Sequence, residues 1–144
     1  MNPRAVKVGV GVLVWKGDKI ALIKRAGSFG LGTWSPPGGH LEFGELAVDA
    51  ARRETREEIG VEIDHLEILG ITEEISEEYG THYITIWAQS DWASGKLKAS
   101  DEEFTESGFF DISHPPSPLF IPFQNLLGGR LVPRRRGGMP FRTP

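Results

Sequence analysis

Apolar positions along the chain come in short runs and alternations, and they divide it into several strands and one strong helix. Val6 to Trp15 is valine-rich and reads as a buried strand. Lys16-Gly17-Asp18-Lys19 is a turn, and Ile20 to Lys24 reads as the returning strand of a hairpin. Residues 26–39, AGSFGLGTWSPPGG, hold five glycines and two prolines and read as a structured loop. Glu45 to Ile59 is the best helix, with Val48, Ala51, Thr55 and Ile59 on one core-facing stripe and Gly60 placed as its C-terminal cap. Residues 62–76 and 81–90 read as strands, the second alternating well as THYITIWAQS. GFFDI at 108–112 reads as a short strand, and Leu119 to Leu127 as a short helix with Pro122 in its first turn.

Composition bounds what such a chain does. Its 144 residues suit one domain, and 39% apolar with 25% charged residues is ordinary for a globular core. There are no cysteines, which excludes disulfides, thiolate metal sites and cysteine nucleophiles. A reducing, cytoplasmic setting is the expectation. The apolar run at Val8 to Trp15 is too short for a bilayer, which takes ~20 residues, and no signal peptide or membrane anchor is read.

Charge is unevenly spread. The net value is −4, but residues 1–129 carry 11 basic against 20 acidic side chains, a balance of −9. An acidic body argues against nucleic-acid binding, which needs a basic footprint. The stretch from Gly129 to Pro144 is rich in glycine, proline and arginine and reads as a flexible basic tail behind a domain at 1–128. Removal of residues 130–144 is expected to leave stability and turnover nearly unchanged.

The chemistry concentrates in Gly39 to Val61, GHLEFGELAVDAARRETREEIGV. On a helix, Glu54, Glu57 and Glu58 fall at i, i+3 and i+4 and share a face, where like charges repel by ~0.2–0.5 kcal/mol per pair. A hard divalent cation with oxygen ligands would offset that repulsion. Arg53, four residues before Glu57, can orient it. By spacing alone, a solvated face with Arg52, Arg53 and Arg56 paired to these acids stands as the ordinary alternative.

The full segment resembles the Nudix box: glycine, five residues, glutamate, seven residues, then Arg-Glu-U-x-Glu-Glu-x-Gly-U, with U bulky and aliphatic. Gly39, Glu45, Arg53, Glu54, Glu57, Glu58, Gly60 and Val61 match it, and Thr55 at the first U position is the one departure. The resemblance implies an α/β fold, the Nudix-type α/β/α sandwich with a mixed β-sheet. It implies cleavage of a nucleoside diphosphate linked to another moiety, with Mg²⁺ as cofactor and Mn²⁺ as a substitute. Glu54, Glu57 and Glu58 become metal ligands or base, the Gly38 carbonyl a further ligand, Arg53 the residue that orients them, and Glu45 a support for the box. The implied mechanism is attack at phosphorus by a metal-acidified water whose proton a carboxylate takes.

The neighbourhood narrows the substrate. GSFGLGTWSPPGGHLEFGE, YGTHYITI and LFIPFQNLL resemble the MutT-like nucleoside triphosphate pyrophosphatases of that family. Triphosphate cleavage to monophosphate and pyrophosphate is therefore the expected reaction. Phe29, Trp34 and Tyr83 are candidate base-stacking surfaces, with core or loop packing as the equal alternative. Lys24 and Arg25 either meet phosphates or cap a strand end, Gly39 offers its backbone to the substrate, and His82 either lines the pocket or is structural. Dinucleoside polyphosphate enzymes of the family tend to carry a tyrosine some 16 to 18 residues after the box, where Tyr79 stands. ADP-ribose enzymes tend to carry a proline about 15 residues after it, where this chain has Ser76. A non-catalytic nucleotide-binding module, which typically loses box glutamates, is disfavoured because all four stand. The partner is thus a small nucleotide, with no membrane or nucleic acid, and a homodimer is compatible.

One carboxylate is expected outside the box. Asp101, Glu102, Glu103 and Glu106 precede the GFF strand. Similar Nudix enzymes often place a metal ligand or base in this loop, about six residues before an aromatic. Glu103 lies six before Phe109 and is chosen over Glu106, with a solvated acidic loop as the alternative.

Overall fold

A computed structural model describes residues 4–134. The first hairpin forms as expected, from β1 (Lys7–Lys16) and β2 (Lys19–Arg25). These strands pair only beside the turn, at Trp15 with Ile20 and Lys16 with Lys19. Beyond it they diverge, and the predicted loop fills the wedge with two short strands. These are β3 (Trp34–Ser35), which pairs with β2, and β4 (Gly38–His40), which pairs with β1.

The other strands are β5 (Val61–Ser76), β6 (Thr81–Gly95) and β7 (Phe104–Asp111). β6 and β7 are longer than the alternation predicted, because both continue through polar edge residues that only pairing holds extended. The seven strands form one mixed sheet, ordered β3-β2-β1-β6-β5, with β4 on β1 and β7 on β2. β1 and β6 run parallel, Lys7 to Trp15 beside Tyr83 to Asp91.

Alternation along β1 sorts the core. Val10, Val12 and Val14 point to one face and pack with Ala50, Ala51, Ile59 and Phe104. Leu13 and Trp15 point to the other and pack with Trp34, Trp87, Phe123 and Leu126. One helix covers each face, giving the expected α/β/α sandwich. No helix among the described residues is long and apolar enough to cross a membrane.

The first helix departs from a uniform Glu45–Ile59 helix. α1 spans Ala47–Glu54 and is followed by a single π turn, Thr55–Ile59, closed by Gly60 in the left-handed region at φ 77°. The buried Thr55 hydroxyl donates to the carbonyls of Ala51 and Arg52, both at 3.0 Å. Such back-bonding competes with the helix ladder and loosens the following turn. Threonine at this box position is therefore buried and satisfied. Ala51, Thr55 and Ile59 face the core as predicted, whereas Val48 is only half-buried. The second helix, α2 (Ile121–Leu127), has Pro122 in its first turn.

The expected boundary at residue 128 moves outward. Leu131 is 2% exposed inside the core under α2, and Val132 exchanges backbone hydrogen bonds with Ile71 on β5, both at 2.9 Å. A single apolar residue among Gly, Pro and Arg carries no periodic signal, so the sequence pattern does not mark Leu131 as core. The expected tail from 135 to 144 lies outside the described residues. Leu131→Ala should destabilise the fold by about 2–5 kcal/mol, the range for buried leucine truncations. Truncation after Gly128 should do at least as much, seen as a lowered melting temperature. An unchanged melting curve in both would refute the docking of this segment.

Candidate active site

The box carboxylates gather around one guanidinium. Arg53 donates to both oxygens of Glu45, Nε to Oε2 at 2.7 Å and Nη2 to Oε1 at 2.9 Å. Its Nη1 reaches Glu54 at 2.8 Å and Glu57 at 3.3 Å, and Nη2 reaches the His40 carbonyl at 3.3 Å. The bidentate bond holds Glu45 below the usual carboxylate range. The same bonds raise Arg53 above its ordinary value. The arginine fixes the helix glutamates from one side.

Two glycines bring β4 against the other side. The Gly38 N–H donates to Glu58 Oε1 at 3.0 Å. A Cβ on Gly38 would collide with the Val10 backbone of β1, and one on Gly39 with the carboxylate of Glu54. Glycine at both positions is what lets strand, helix and carboxylates meet.

Glu58 is 8% exposed and touches Glu103, which the fold carries in from the loop before β7. Burial first, and then the Glu103 and Glu54 carboxylates, hold Glu58 well above the usual range against the Gly38 N–H. Burial likewise raises Glu54, opposed by Arg53 and reinforced by Glu57 and Glu103. Of the four candidate acids, Glu103 is the one that meets Glu58. Glu106 instead pairs with Lys24 at 3.3 Å on the surface.

These oxygens suit a hard cation. Four carboxylates, two of them pushed toward neutrality chiefly by burial, form a set of hard oxygen donors. Among the described residues, no three or more His, Asp or Glu side chains are already arranged to hold a metal ion. Glu57 is 63% exposed and turned to Arg53.

Beside the box lies a cleft of about 760 Å³. Gly38 and Gly39 line it, and so do Arg25, Phe29 and Tyr83 among the predicted substrate residues. Phe29 stacks on Tyr83 with centroids 5.3 Å apart and meets Phe120 edge-on at 5.5 Å. The Arg25 guanidinium lies 4.2 Å over the Phe120 ring. Burial lowers its pKa, and the carboxylates of Glu58 and Glu103 oppose that shift. Arg25 thus spans from the ring cluster toward the box. A bulge between Lys24 and Arg25 in the pairing with β7 separates the two neighbours.

Three other candidates go elsewhere. Trp34, 9% exposed, packs in the core at 5.0 Å from Phe110, and its backbone pairs with Pro118 and Phe120. Lys24 is held by Glu106. His82 does not line the cleft and lies 3.9 Å from Glu73. Sequence reading missed Phe120, Glu74, Asn125 and Arg130, all of which line the cleft. Phe120 had a usable signal, an aromatic directly before a proline-started helix. The others come together only through the β5–α2 contact.

Comparison with known proteins agrees with this architecture. The family model for the NUDIX domain matches residues 5–125. An ADP-ribose pyrophosphatase of Methanocaldococcus jannaschii is 34% identical over 78% of this chain, which spans 66% of that protein's length. The NAD-capped RNA hydrolase NudC of Pseudomonas aeruginosa is 31% identical over 74% of this chain and is spanned over only 37% of its own length. The crystal structure of a MutT NUDIX hydrolase from Burkholderia pseudomallei superposes with a TM-score of 0.75 at 27% identity, over 80% of this chain and 90% of that one. With the box residues assembled around Arg53 and the family model matched across most of its length, the chain belongs to the NUDIX domain family.

Proposed function

We propose that the chain hydrolyses a nucleoside triphosphate to the monophosphate and pyrophosphate, using Mg²⁺ or, in its place, Mn²⁺. The observation that carries this reading is the double use of β4. Gly38 and Gly39 line the cleft and also touch Glu58 and Glu54. A base among Phe29, Tyr83 and Phe120 would have its phosphates beside the carboxylates. The two curated relatives are named for an ADP-ribose and an NAD-cap substrate, and both of those contain a pyrophosphate bond. Tyr79, 76% exposed on the cleft rim, supports a dinucleoside polyphosphate as the second reading.

Glu54, Glu57, Glu58 and Glu103, with the Gly38 carbonyl, would hold the cation. When bound, it supplies charge for the phosphate oxygens and acidifies water. Arg53 keeps Glu54 and Glu57 oriented. Glu103 takes the proton from the attacking water, and Arg25 meets the phosphate chain between the rings and the box.

The cleft wall also supports a base preference. Glu74 sits opposite Tyr83 in the β5–β6 register. The Thr85 hydroxyl donates to its Oε1 at 2.7 Å and the Asn125 amide to its Oε2 at 3.1 Å. Each oxygen keeps a free acceptor site, so the carboxylate presents two fixed acceptors side by side. Guanine offers the matching pair of donors, N1–H and the 2-amino group.

Metal removal, variant kinetics and a substrate panel test these readings. Activity should vanish with chelator and return with Mg²⁺. Glu57→Gln should lower turnover by more than the ~10–100-fold of losing a ligand's supporting partner. Glu103→Gln should lower kcat by ~10²–10⁴-fold, the worth of a general base, while nucleotide still binds. Near-normal turnover in the folded variants would sink these roles. Across a panel that includes ADP-ribose and diadenosine polyphosphates, triphosphates should lead in kcat/KM. GTP should exceed ITP, which lacks the 2-amino group, and Glu74→Gln should erase that difference. Equal GTP and ITP values in the unaltered protein would refute the base preference.

A further inference from the structure

The crowding of carboxylates poses a mechanical question. Glu103 arrives on a loop and meets the Glu58 side chain, with Glu54 close by. Its place against the box depends on what fixes that loop. Arg53 engages Glu42, Glu45, Glu54 and Glu57, but no interaction links it to Glu103.

Lys98 makes the connection. Its backbone N–H donates to the Ile59 carbonyl at 3.0 Å, and its Nζ donates to the Glu57 carbonyl at 2.8 Å. Both carbonyls lie in the π turn, where the helix ends and leaves acceptors open. A cation there also suits the negative end of the helix. Gly60 helps seat it, since the Lys98 stem lies 3.4 Å from where a Cβ at Gly60 would stand.

From the helix end the chain of contacts continues into the loop. Lys98 Nζ lies 3.7 Å from Asp101 Oδ2, and Asp101 Oδ1 accepts the Glu103 N–H at 2.9 Å. The Glu103 carbonyl in turn accepts the Ala26 N–H at 2.9 Å, from the residue after β2. The Ser107 hydroxyl holds the Lys98 carbonyl. Glu103 is therefore clamped at its N–H through Asp101 and at its carbonyl by Ala26. Asp101 is tied through Lys98 to the turn that carries Glu57 and Glu58.

We infer that Lys98 is a positioning residue that, through Asp101, sets Glu103 against the box carboxylates. It needs no contact with substrate to do so. An exposed ion pair such as Lys98–Asp101 is weak alone. Here the ammonium also caps a helix carbonyl, so one side chain spans the two segments whose separation decides the site. The inference rests on the role given to Glu103 above, and a combination of variants separates the two.

Lys98→Met keeps the stem and removes the charge. It should lower kcat by about 10–100-fold, as loss of a residue that orients a ligand does. KM for the nucleotide and the melting temperature should stay nearly unchanged. Lys98→Arg should restore much of the loss, and Asp101→Asn, which keeps the oxygen facing the Glu103 N–H, should fall between. The deciding measurement is the double variant: in a Glu103→Gln background, Lys98→Met should cost little more, because the partner it acts through is already disabled. Full activity in Lys98→Met with a crippled Glu103→Gln would overturn the positioning role and leave the assignment of Glu103 standing. Independent, multiplying losses would show that Lys98 acts through the helix end and would overturn it as well. A silent Glu103→Gln would remove the role of Glu103 itself, whatever Lys98 does.

Discussion

The guanidinium of Arg53 is the interaction on which the site depends. It is the cation that Glu45, Glu54 and Glu57 share. Two of its bonds go to a single carboxylate as a planar fork, a geometry that lysine cannot supply. The Glu45 end ties the loop before α1 to the helix, and the Glu54 end turns a carboxylate toward Gly39. Arg53 makes no hydrogen bond to Glu58, which is held instead by the Gly38 N–H and by Glu103.

The second constraint is the wedge between β1 and β2. Had the strands stayed paired, β4 would have no edge of β1 to join and no route under the box helix. The divergence after Trp15 and Lys16 opens that edge, and glycines then permit close approach. Gly38 lies against the Val10 backbone, Gly39 against Glu54, and Gly11 leaves room for the Trp87 ring. The same wedge admits β3, whose Trp34 backbone pairs with Phe120 and so delivers that ring to the cleft. Binding surface and carboxylates are thus two sides of one short strand.

The site is also held in tension. Buried carboxylates cost free energy unless paired, and Glu58 is paired mainly with another acid and one backbone N–H. The fold offsets this with contacts from three directions: Arg53 along the helix, Gly38 from β4, and the Lys98–Asp101 link from the loop before β7. The π turn at Thr55–Ile59 lies where these meet. Irregular turns of this kind are common where a helix serves a function, because they re-aim side chains that a regular turn would space evenly.

The sequence by itself determined a good deal. Apolar runs and alternation marked the long strands, and helix periodicity with Gly60 marked α1 and its end, because these signals are local. The box residues were legible together through the family resemblance, and helix spacing put Glu54, Glu57 and Glu58 on a shared face. The family resemblance points to Glu103 among the acids at 101–106, and the fold does bring it to Glu58. Tertiary structure alone decided the rest. It sent Trp34 into the core and Lys24 to Glu106, although both sit beside residues that line the cleft. It docked Leu131 from a stretch whose composition reads as tail. It joined Glu74 to Asn125, and Lys98 to both Glu57 and Asp101. The physical reason is common to these cases. Local sequence encodes the period and the caps of an element, whereas partners far apart in the chain are selected by which faces the closed sheet brings within hydrogen-bonding distance.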